Sequence, residues 1–496
     1  MIFELILIAV ALFAYFKIAK PYFSYLKYRK YGKGFYYPIL GEMIEQEQDL
    51  KQHADADYSV HHALDKDPDQ KLFVTNLGTK VKLRLIEPEI IKDFFSKSQY
   101  YQKDQTFIQN ITRFLKNGIV FSEGNTWKES RKLFSPAFHY EYIQKLTPLI
   151  NDITDTIFNL AVKNQELKNF DPIAQIQEIT GRVIIASFFG EVIEGEKFQG
   201  LTIIQCLSHI INTLGNQTYS IMYFLFGSKY FELGVTEEHR KFNKFIAEFN
   251  KYLLQKIDQQ IEIMSNELQT KGYIQNPCIL AQLISTHKID EITRNQLFQD
   301  FKTFYIAGMD TTGHLLGMTI YYVSQNKDIY TKLQSEIDSN TDQSAHGLIK
   351  NLPYLNAVIK ETLRYYGPGN ILFDRIAIKD HELAGIPIKK GTIVTPYAMS
   401  MQRNSKYYQD PHKYNPSRWL EKQSSDLHPD ANIPFSAGQR KCIGEQLALL
   451  EARIILNKFI KMFDFTCPQD YKLMMNYKFL SEPVNPLPLQ LTLRKQ

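Results

Sequence analysis

The stretch Phe435-Ser-Ala-Gly438-Gln-Arg440-Lys-Cys442-Ile-Gly444 places one cysteine immediately before a segment with the apolar spacing of a helix, residues 444 to 456. The first turn of a helix leaves backbone N–H groups unpaired and carries the positive end of the helix dipole. Both effects favour the thiolate form of a nearby cysteine and lower its pKa. The sequence therefore predicts that Cys442 can ligate a metal.

The residues around Cys442 suit a flat, metal-containing partner that carries carboxylates. Gly438 permits a tight turn, and Gly444 lets the helix backbone approach a flat surface that a Cβ atom would push away. Arg440 suits a carboxylate, because its guanidinium can donate two parallel hydrogen bonds. Phe435 would keep water from the metal–sulfur bond. The alternative for a lone cysteine is a small buried hydrophobe, and we adopt it for the chain's other cysteines, Cys206, Cys278 and Cys467.

At every fixed position this stretch resembles the ligand loop Phe-x-x-Gly-x-Arg-x-Cys-x-Gly of the cytochrome P450 family of haem-thiolate monooxygenases. The resemblance implies haem b as the cofactor, with the thiolate of Cys442 as its axial iron ligand and O2 as a co-substrate. It also implies that Phe435, Gly438, Arg440 and Gly444 help to hold the haem. Ala307 stands where some relatives have a glutamate that bonds covalently to haem, so we expect haem that is not covalently attached.

A long helical pattern from about Asp290 to Val323 contains the motif Ala307-Gly308-Met-Asp310-Thr311-Thr. Glycine inside a helix costs about 1 kcal/mol relative to alanine, so Gly308 needs a compensating reason. Thr311 can donate a hydrogen bond to a carbonyl one turn earlier, which together with the glycine would open a local bulge or bend beside the metal. The resemblance implies that Ala307 and Gly308 line the haem and that Asp310 and Thr311 handle protons. Ordinary helix packing is the alternative for this motif.

Glu361 and Arg364 are three residues apart in a helical pattern, which by itself predicts a solvated ion pair. The resemblance implies a buried pair instead, joined by Arg418 from the segment Asn415-Pro-Ser417-Arg418-Trp. Three interlocked charged groups would fix one geometry of the haem-binding core, so their expected role is structural. Ser417 stands where relatives often have a glutamate, which leaves the pairing of Arg418 open.

Three further residues are candidates for contacts with the haem propionates. Trp127 and Arg131 lie four residues apart in a segment that resembles a major helix of the family, and both side chains can donate hydrogen bonds to carboxylates. Arg375 lies on a predicted strand where the family often places another propionate partner. The alternative for Trp127 is an ordinary core aromatic.

Composition favours one large catalytic unit. The chain has 496 residues, of which 44% are hydrophobic and 13% aromatic, enough to bury a large core. No linker-like segment or internal repeat divides it. The net charge of +5 is modest and the basic residues are dispersed, so nothing indicates nucleic-acid binding. Four cysteines in so long a chain fit a reducing compartment.

The amino-terminal residues 1–19 are almost entirely apolar, and the basic residues of the region follow the apolar run. An uncleaved transmembrane anchor needs roughly 20 such residues, and the charge distribution would leave the rest of the chain on the cytoplasmic side. A cleaved signal peptide is the alternative, but the basic segment that normally precedes one is missing. We expect an anchor over 1–19, a basic hinge over 20–41 and a catalytic domain over 42–496, at the endoplasmic reticulum membrane.

The coarse pattern predicts a mainly α (α+β) fold. Residues 71–86 and 371–397 read as strands, helical periodicity dominates from 88 to 366, and residues 402–433 should be irregular. This succession resembles the cytochrome P450 fold, in which long helices surround a haem beside small β-sheets. Residues 214–233 are more apolar than one helix face needs, which fits either a core helix with a loop or a flexible roof over the substrate channel that dips into the membrane.

The chain carries no glycine-rich flavin or nicotinamide motif, so electrons are expected from NADPH through a separate NADPH-cytochrome P450 reductase, with cytochrome b5 as a further candidate donor. Lys128, Lys132 and Lys441 would form a basic patch for that partner. The predicted function is insertion of one oxygen atom from O2 into a lipophilic substrate. The alternatives are a haem-thiolate isomerase or dehydratase, and a haem-binding sensor or carrier without turnover.

Overall fold

A computed structural model describes residues 2–106, 108–190, 197–275, 278–287, 289–369, 373–420, 428, 430–477 and 480–495. Helices occupy most of the chain between residues 88 and 366. In chain order the α-helices of these ranges are α1 (Ile2–Ala14), α2 (Lys20–Tyr28), α3 (Glu42–His53), α4 (Tyr58–Lys66), α5 (Pro88–Ser96), α6 (Gln109–Leu115), α7 (Gly124–Phe134), α8 (Tyr140–Ile143), α9 (Thr147–Lys163), α10 (Pro172–Phe189), α11 (Ile203–Thr218), α12 (Ile221–Phe226), α13 (Lys229–Glu232), α14 (Glu237–Lys271), α15 (Ile279–Thr286), α16 (Glu291–Ser324), α17 (Lys327–Ser339), α18 (Ala345–Lys350), α19 (Pro353–Tyr366), α20 (Ala398–Gln402) and α21 (Glu445–Met462).

The strands are short and lie towards the two ends of the chain. They are β1 (Leu72–Leu77), β2 (Lys80–Leu85), β3 (Tyr101–Lys103), β4 (Arg375–Ala377), β5 (His381–Leu383), β6 (Ile386–Ile388), β7 (Ile393–Pro396), β8 (Phe463–Thr466), β9 (Met475–Tyr477), β10 (Ser481–Pro483) and β11 (Gln490–Leu493). The main sheet has the order β1-β2-β7-β4-β3, and only the β2–β7 pair is parallel among its described strands. In the antiparallel β3–β4 pair Lys103 lies opposite Arg375.

Helix α16 is largely buried, and it packs closely along α10. It begins where the sequence predicts, because the Asp290 side chain accepts a hydrogen bond from the Thr293 N–H at 2.8 Å and so caps the first turn. Glycines along α16 permit the close approach of α10. A Cβ added at Gly308, Gly313 or Gly317 would lie 2.5, 2.4 or 2.2 Å from the side chains of Ile184, Gln177 or Ile173, respectively.

The predicted strands over 71–86 and 371–397 are confirmed by β1, β2 and β4 to β7, although residues 371 and 372 lie outside the described ranges. Among the described residues of 88–366, the predicted helical character is confirmed apart from the short strand β3 and the connecting loops. Gln402 is the last residue of α20, and the described residues of 403–433 are irregular, with one 3₁₀ turn at Pro416–Trp419. Residues 421–427 and 429 of that segment lie outside the described ranges.

Residues 2–28 are helical, with a π-helical segment at Tyr15–Ala19 between α1 and α2. Large apolar side chains of α1 are exposed, among them Phe3 at 70% and Leu5 at 60%. Within the described part of the chain, no helix is at once long enough and apolar enough to cross a bilayer. The helix predicted at the amino terminus is thus present, while its function as an anchor stays a prediction.

The apolar segment 214–233 forms the end of α11 followed by α12 and α13. Leu214, Tyr223 and Phe231 are buried, whereas Ile221 and Phe226 are 70% and 60% exposed. The side chain of Phe224 lies outside the part of the chain that the structure describes. One side of the segment therefore joins the core and the other presents apolar groups outward.

Candidate functional site

The loop that carries Cys442 turns back on itself before α21 begins. Ser436 and Gly438 both have positive φ, 65° and 69°, and the Cys442 N–H donates to the Phe435 carbonyl at 3.0 Å. Gly444 is the N-cap residue of α21. This geometry places the Cys442 side chain at the amino-terminal end of the helix, where the sequence predicts it.

The environment of the Cys442 thiol differs from the one predicted. Burial among protein atoms raises the pKa of Cys442, and this outweighs the opposing contributions of the Gly444 and Glu445 backbone N–H groups and of Arg131. The predicted low pKa is therefore wrong for the protein alone. A coordinated metal deprotonates a thiol outright, so the thiolate form would come from the metal rather than from the helix terminus.

The surface beside Cys442 can accept a flat group. The Cys442 side chain is exposed although protein atoms surround it, so it borders open space inside the fold. Little of the described structure lies beside Gly444. The nearest described atom to a Cβ added there would be the Cys442 sulfur, at 3.9 Å. Phe435 is half-buried and packs against the main hydrophobic core. At Gly438 an added Cβ would lie 3.3 Å from the Phe95 Cβ, so this glycine lets the loop approach α5.

A cleft of about 780 Å³ opens beside this loop, bordered by α5, α7, β3 and β4. The Arg440 guanidinium lies 4.0 Å from the Trp127 ring centre and donates to Glu123 Oε2 at 2.6 Å. It also donates to the Ser122 carbonyl at 2.9 Å. The predicted partners Arg440 and Trp127 therefore lie together on one wall of the cleft.

Positive charge exceeds negative charge in this cleft. Arg375 is deeply set, and its Nη1 has no hydrogen-bond partner among the described residues. Burial, and then the neighbouring Arg375 and Arg440, lower the pKa of Lys103 to about 7 despite Glu123. Burial likewise lowers the pKa of Arg375 to about 10, against the pull of Glu123. An anionic group entering the cleft would find donors already oriented, as the two propionates of a haem require.

Arg131 approaches from α7 and donates from Nη1 to the Lys441 carbonyl at 2.8 Å, which fastens α7 to the ligand loop. Sequence reasoning missed Lys103 and Glu123 as members of this cluster. Both residues lie more than 300 positions before the loop in the sequence. Lys103 is brought next to Arg375 by the pairing of β3 with β4, which no local sequence pattern indicates.

On α16 the Thr311 hydroxyl donates to the Ala307 carbonyl at 2.7 Å, as predicted. Ala307 is exposed and Thr311 is half-buried, so this part of a largely buried helix borders open space. The helix stays α-helical through residues 307–312, so the predicted bulge is absent there, and the bend that was its alternative stays a prediction. A Cβ atom at Gly308 would face Ile184 of α10, so helix packing already accounts for the glycine, and the haem contact of Gly308 stays a prediction.

The Asp310 carboxylate is held on the α10 side of the helix. Gln177 Nε2 donates to Asp310 Oδ1 at 2.7 Å, and His314 Nδ1 lies 3.2 Å from the same oxygen. Burial lowers the pKa of His314, but hydrogen bonding to Asp310 and its charge raise it to about 9 overall. His314 is therefore a cation at neutral pH, and its Nε2 lies 4.0 Å from a Glu482 carboxylate oxygen. The sequence analysis missed His314.

The Glu361 carboxylate is fully buried and receives several donors. Arg364 donates to it at 2.9 and 2.7 Å, and Arg418 Nε donates at 3.1 Å. Trp419 Nε1 and the Asn415 N–H each donate at 2.8 Å. The structure thus brings the three predicted residues together, and Arg418 pairs with Glu361 although Ser417 replaces the usual glutamate.

A cysteine sulfur at a helix terminus, open space beside it and a surplus of cations at the rim suit a flat metal chelate that bears carboxylates. Haem meets this description, so fold and site define a protein of the haem-thiolate class.

Comparison with known proteins agrees with this class. The family model Cytochrome P450 matches residues 33–493. Cytochrome P450 3A15 of Cavia porcellus is 26% identical over 84% of this chain and 84% of its own length. Cytochrome P450 4V2 of Rattus norvegicus is 27% identical over 78% of this chain and 75% of its own. The solved structure titled "Crystal structure of cytochrome P450DA heme domain" has the same fold, with a TM-score of 0.72, 17% identity, and coverage of 90% of this chain and 94% of that one.

The chain belongs to the cytochrome P450 family. The recognition made from the ligand loop is thereby confirmed, and with it the prediction of a monooxygenase.

Proposed function

We propose that this protein is a membrane-associated monooxygenase that uses haem b to transfer one oxygen atom from O2 to a lipophilic substrate, with electrons from NADPH delivered by a separate reductase. The observation that carries the proposal is the exposed Cys442 sulfur inside the fold, on the same loop as Arg440, which borders a cleft lined by more cationic than carboxylate side chains.

The residues present fit haem. Cys442 would ligate the iron, and Arg375, Arg440, Trp127 and Arg131 would donate to the propionates. When bound, haem with a thiolate ligand supplies the activation of O2. Glu361, Arg364 and Arg418 would have a structural role, because their buried side chains pair with one another next to the segment that leads towards the ligand loop.

Protons for the reaction would pass along α16. The Thr311 hydroxyl lies on the accessible side of the helix and is oriented by the Ala307 carbonyl. Asp310 is next in the chain and is paired with His314, which is protonated at neutral pH and close to Glu482. Asp310 and His314 would restore the proton that Thr311 donates.

Exposed apolar side chains support membrane association. They occur on α1 and again on α12, where Ile221, Leu225 and Phe226 face outward. An isolated apolar group on a surface needs no explanation, but a helix that presents several fits a lipid interface. We propose that α1 anchors the protein at the endoplasmic reticulum membrane and that α12 contacts the same bilayer.

The reductase would dock on the cysteine side of the fold. Lys128 and Lys132 are exposed on α7, which Arg131 joins to the ligand loop. Lys441 is exposed too, but its Nζ lies 2.6 Å from Glu445 Oε2, so it offers less free charge. An acidic partner surface would be attracted mainly by the two lysines of α7. Cytochrome b5 would compete for the same patch.

The decisive test is the reduced protein treated with carbon monoxide, followed by turnover with reductase, NADPH and O2. A thiolate-ligated haem spectrum that Cys442→His abolishes, together with an oxygenated product, would support the proposal. Product formed without O2 or reductase would indicate an isomerase or dehydratase. Haem binding without any product from lipophiles that shift the iron spin state would indicate a carrier or sensor.

A second test addresses the docking patch. Lys128→Glu with Lys132→Glu should slow reduction of the haem by the reductase and weaken its dependence on salt. The matched control is Lys327→Glu with Lys332→Glu, two exposed lysines of α17. Equal rates for both double variants would contradict docking at α7.

A further inference from the structure

Three side chains with metal-binding atoms converge on the surface of the chain, apart from the residues assigned to haem. They are His62, Asp65 and His412, and their ligand atoms all lie within 4.8 Å of one another. His62 Nδ1 lies 2.5 Å from Asp65 Oδ2, and His412 Nε2 lies 2.7 Å from Asp65 Oδ1. Each side chain is 35–38% exposed, so a solvated ion can reach all three.

Two imidazoles and one carboxylate are the ligand set that Zn²⁺ takes in open sites, where a water molecule completes the tetrahedron. Zinc–ligand distances of about 2.0–2.2 Å place neighbouring ligand atoms roughly 3.3 Å apart. The observed separations need changes of about 1 Å or less in most cases, which rotation of exposed side chains can supply. Hydrogen bonding of both imidazoles to Asp65 without a metal is the competing explanation.

The two elements that present these ligands are fixed independently of any metal. His62 and Asp65 are one turn apart on α4, whose opposite side is buried through Val60 and Leu64. This spacing lets both side chains reach one ion.

His412 lies in an irregular segment that buried groups hold from beneath. Arg364 donates to the carbonyls of Pro411 and Lys413 at 2.8 and 3.2 Å. Arg418 donates to the Gln409 carbonyl at 2.9 Å, and Tyr365 Oη donates to the His412 carbonyl at 2.7 Å. The backbone that carries His412 is therefore set by the same network that binds Glu361. A preorganised backbone reduces the cost of ordering ligands around an ion.

Aromatic stacking further orients the imidazoles. The His62 and His412 rings stack at 4.8 Å with an angle of 13° between their planes. Tyr58 lies 4.0 Å from His62, and His53 stacks on Tyr58 at 3.8 Å. These contacts hold the two imidazole rings face to face, and each ring directs one nitrogen atom to Asp65.

We propose that His62, Asp65 and His412 bind one Zn²⁺ ion and that this ion fastens α4 to the segment 409–413. The site is separate from the haem chemistry and does not depend on the proposed function. Bound zinc stabilises the network that holds the ligand-loop side of the fold, because the folded chain brings the three ligands together and so binds the ion more tightly than the unfolded chain.

The test is a zinc titration of the full-length, haem-loaded protein after removal of metals with a chelator. Calorimetry and equilibrium dialysis with ZnCl2 measure affinity and stoichiometry for wild type, His62→Asn, Asp65→Asn and His412→Asn. Loss of one ligand should weaken binding at this site by at least about ten-fold, since removing even an outer-shell partner typically costs 10–100-fold. The matched control is His346→Asn, an exposed histidine on α18.

Circular dichroism and the haem spectrum establish that each variant is folded, and the three substitutions test the site independently. Zinc should also raise the thermal unfolding midpoint of wild type and of His346→Asn, with no rise in the three ligand variants. Failure of wild type to bind zinc below about 1 mM, or equal binding by all variants, would overturn the proposal.

Discussion

The ion pair between His314 and Asp310 predicts a pH dependence of stability that one substitution removes. The pKa of His314 is raised from 6.5 to about 9 in the folded protein, where Asp310 outweighs the effect of burial. At about 1.4 kcal/mol per pH unit, this difference corresponds to roughly 3 kcal/mol of stabilisation. Because the pKa is raised on folding, the contribution is complete below pH 6.5 and is lost as the pH rises through about 9.

The perturbation is His314→Asn, which keeps a donor near Asp310 but carries no charge. Urea unfolding of both proteins, followed by circular dichroism from pH 6 to pH 10, gives the free energy of unfolding at each pH. The difference in the free energy of unfolding between wild type and variant, called the gap below, should be largest near pH 6, at about 3 kcal/mol. It should decrease steadily towards pH 10. Comparing the two proteins cancels the titration of tyrosines and lysines that both contain.

The control is His209→Asn, an exposed histidine of α11, for which the gap should be small at every pH. A gap for His314→Asn that does not change with pH would refute the contribution of the ion pair. The free energy lost through poorer packing alone does not depend on pH. A gap that widens above pH 8 would have the wrong sign for a histidine whose pKa is raised on folding.

Three further outcomes follow from the geometry. Gly317→Ala would place a Cβ atom 2.2 Å from an α10 side chain, so the free energy of unfolding in urea should fall by about 1–3 kcal/mol. In the control Gly215→Ala, the added Cβ atom meets nothing within 4 Å and the free energy of unfolding should not fall. Glu361→Gln leaves two buried arginines without a counter-charge. The free energy of unfolding should fall by about 3–5 kcal/mol, and the haem absorption spectrum should show a much lower yield of haem-loaded protein. Arg375→Met should raise the unfolding midpoint of the haem-free chain and should speed haem transfer to apomyoglobin about ten-fold or more. A lower midpoint of the haem-free chain, or an unchanged rate of haem transfer, would contradict the role of Arg375 as a propionate partner.

Sequence reasoning succeeded where the signal is local. The ligand loop is recognisable because one turn, one helix start and one cysteine must occur within a short stretch. The interaction of Thr311 with Ala307 was predictable for the same reason, since it spans one helical turn. His314 could have been found in the same way, because it lies four residues after Asp310 on the same helix.

Tertiary structure overturns one local prediction and supplies a further reason for one glycine. The thiol pKa of Cys442 was argued from the helix terminus alone, and the desolvation that opposes it depends on everything packed around the loop. At Gly308 the side chain that excludes a Cβ atom is Ile184 on another helix, while the haem contact of Gly308 stays a prediction. Neither effect leaves a trace in the local sequence.

Two clusters of buried charge show how a structural group can be told from a binding group. Around Glu361 the carboxylate accepts from Arg364, Arg418 and Trp419, and both guanidiniums also donate to backbone carbonyls. That cluster is complete within the chain and offers nothing to a ligand. Around Arg375, by contrast, one guanidinium nitrogen finds no acceptor among the described residues. Leaving such a donor unpaired costs about 1–3 kcal/mol, which an anion that arrives from outside the chain would offset.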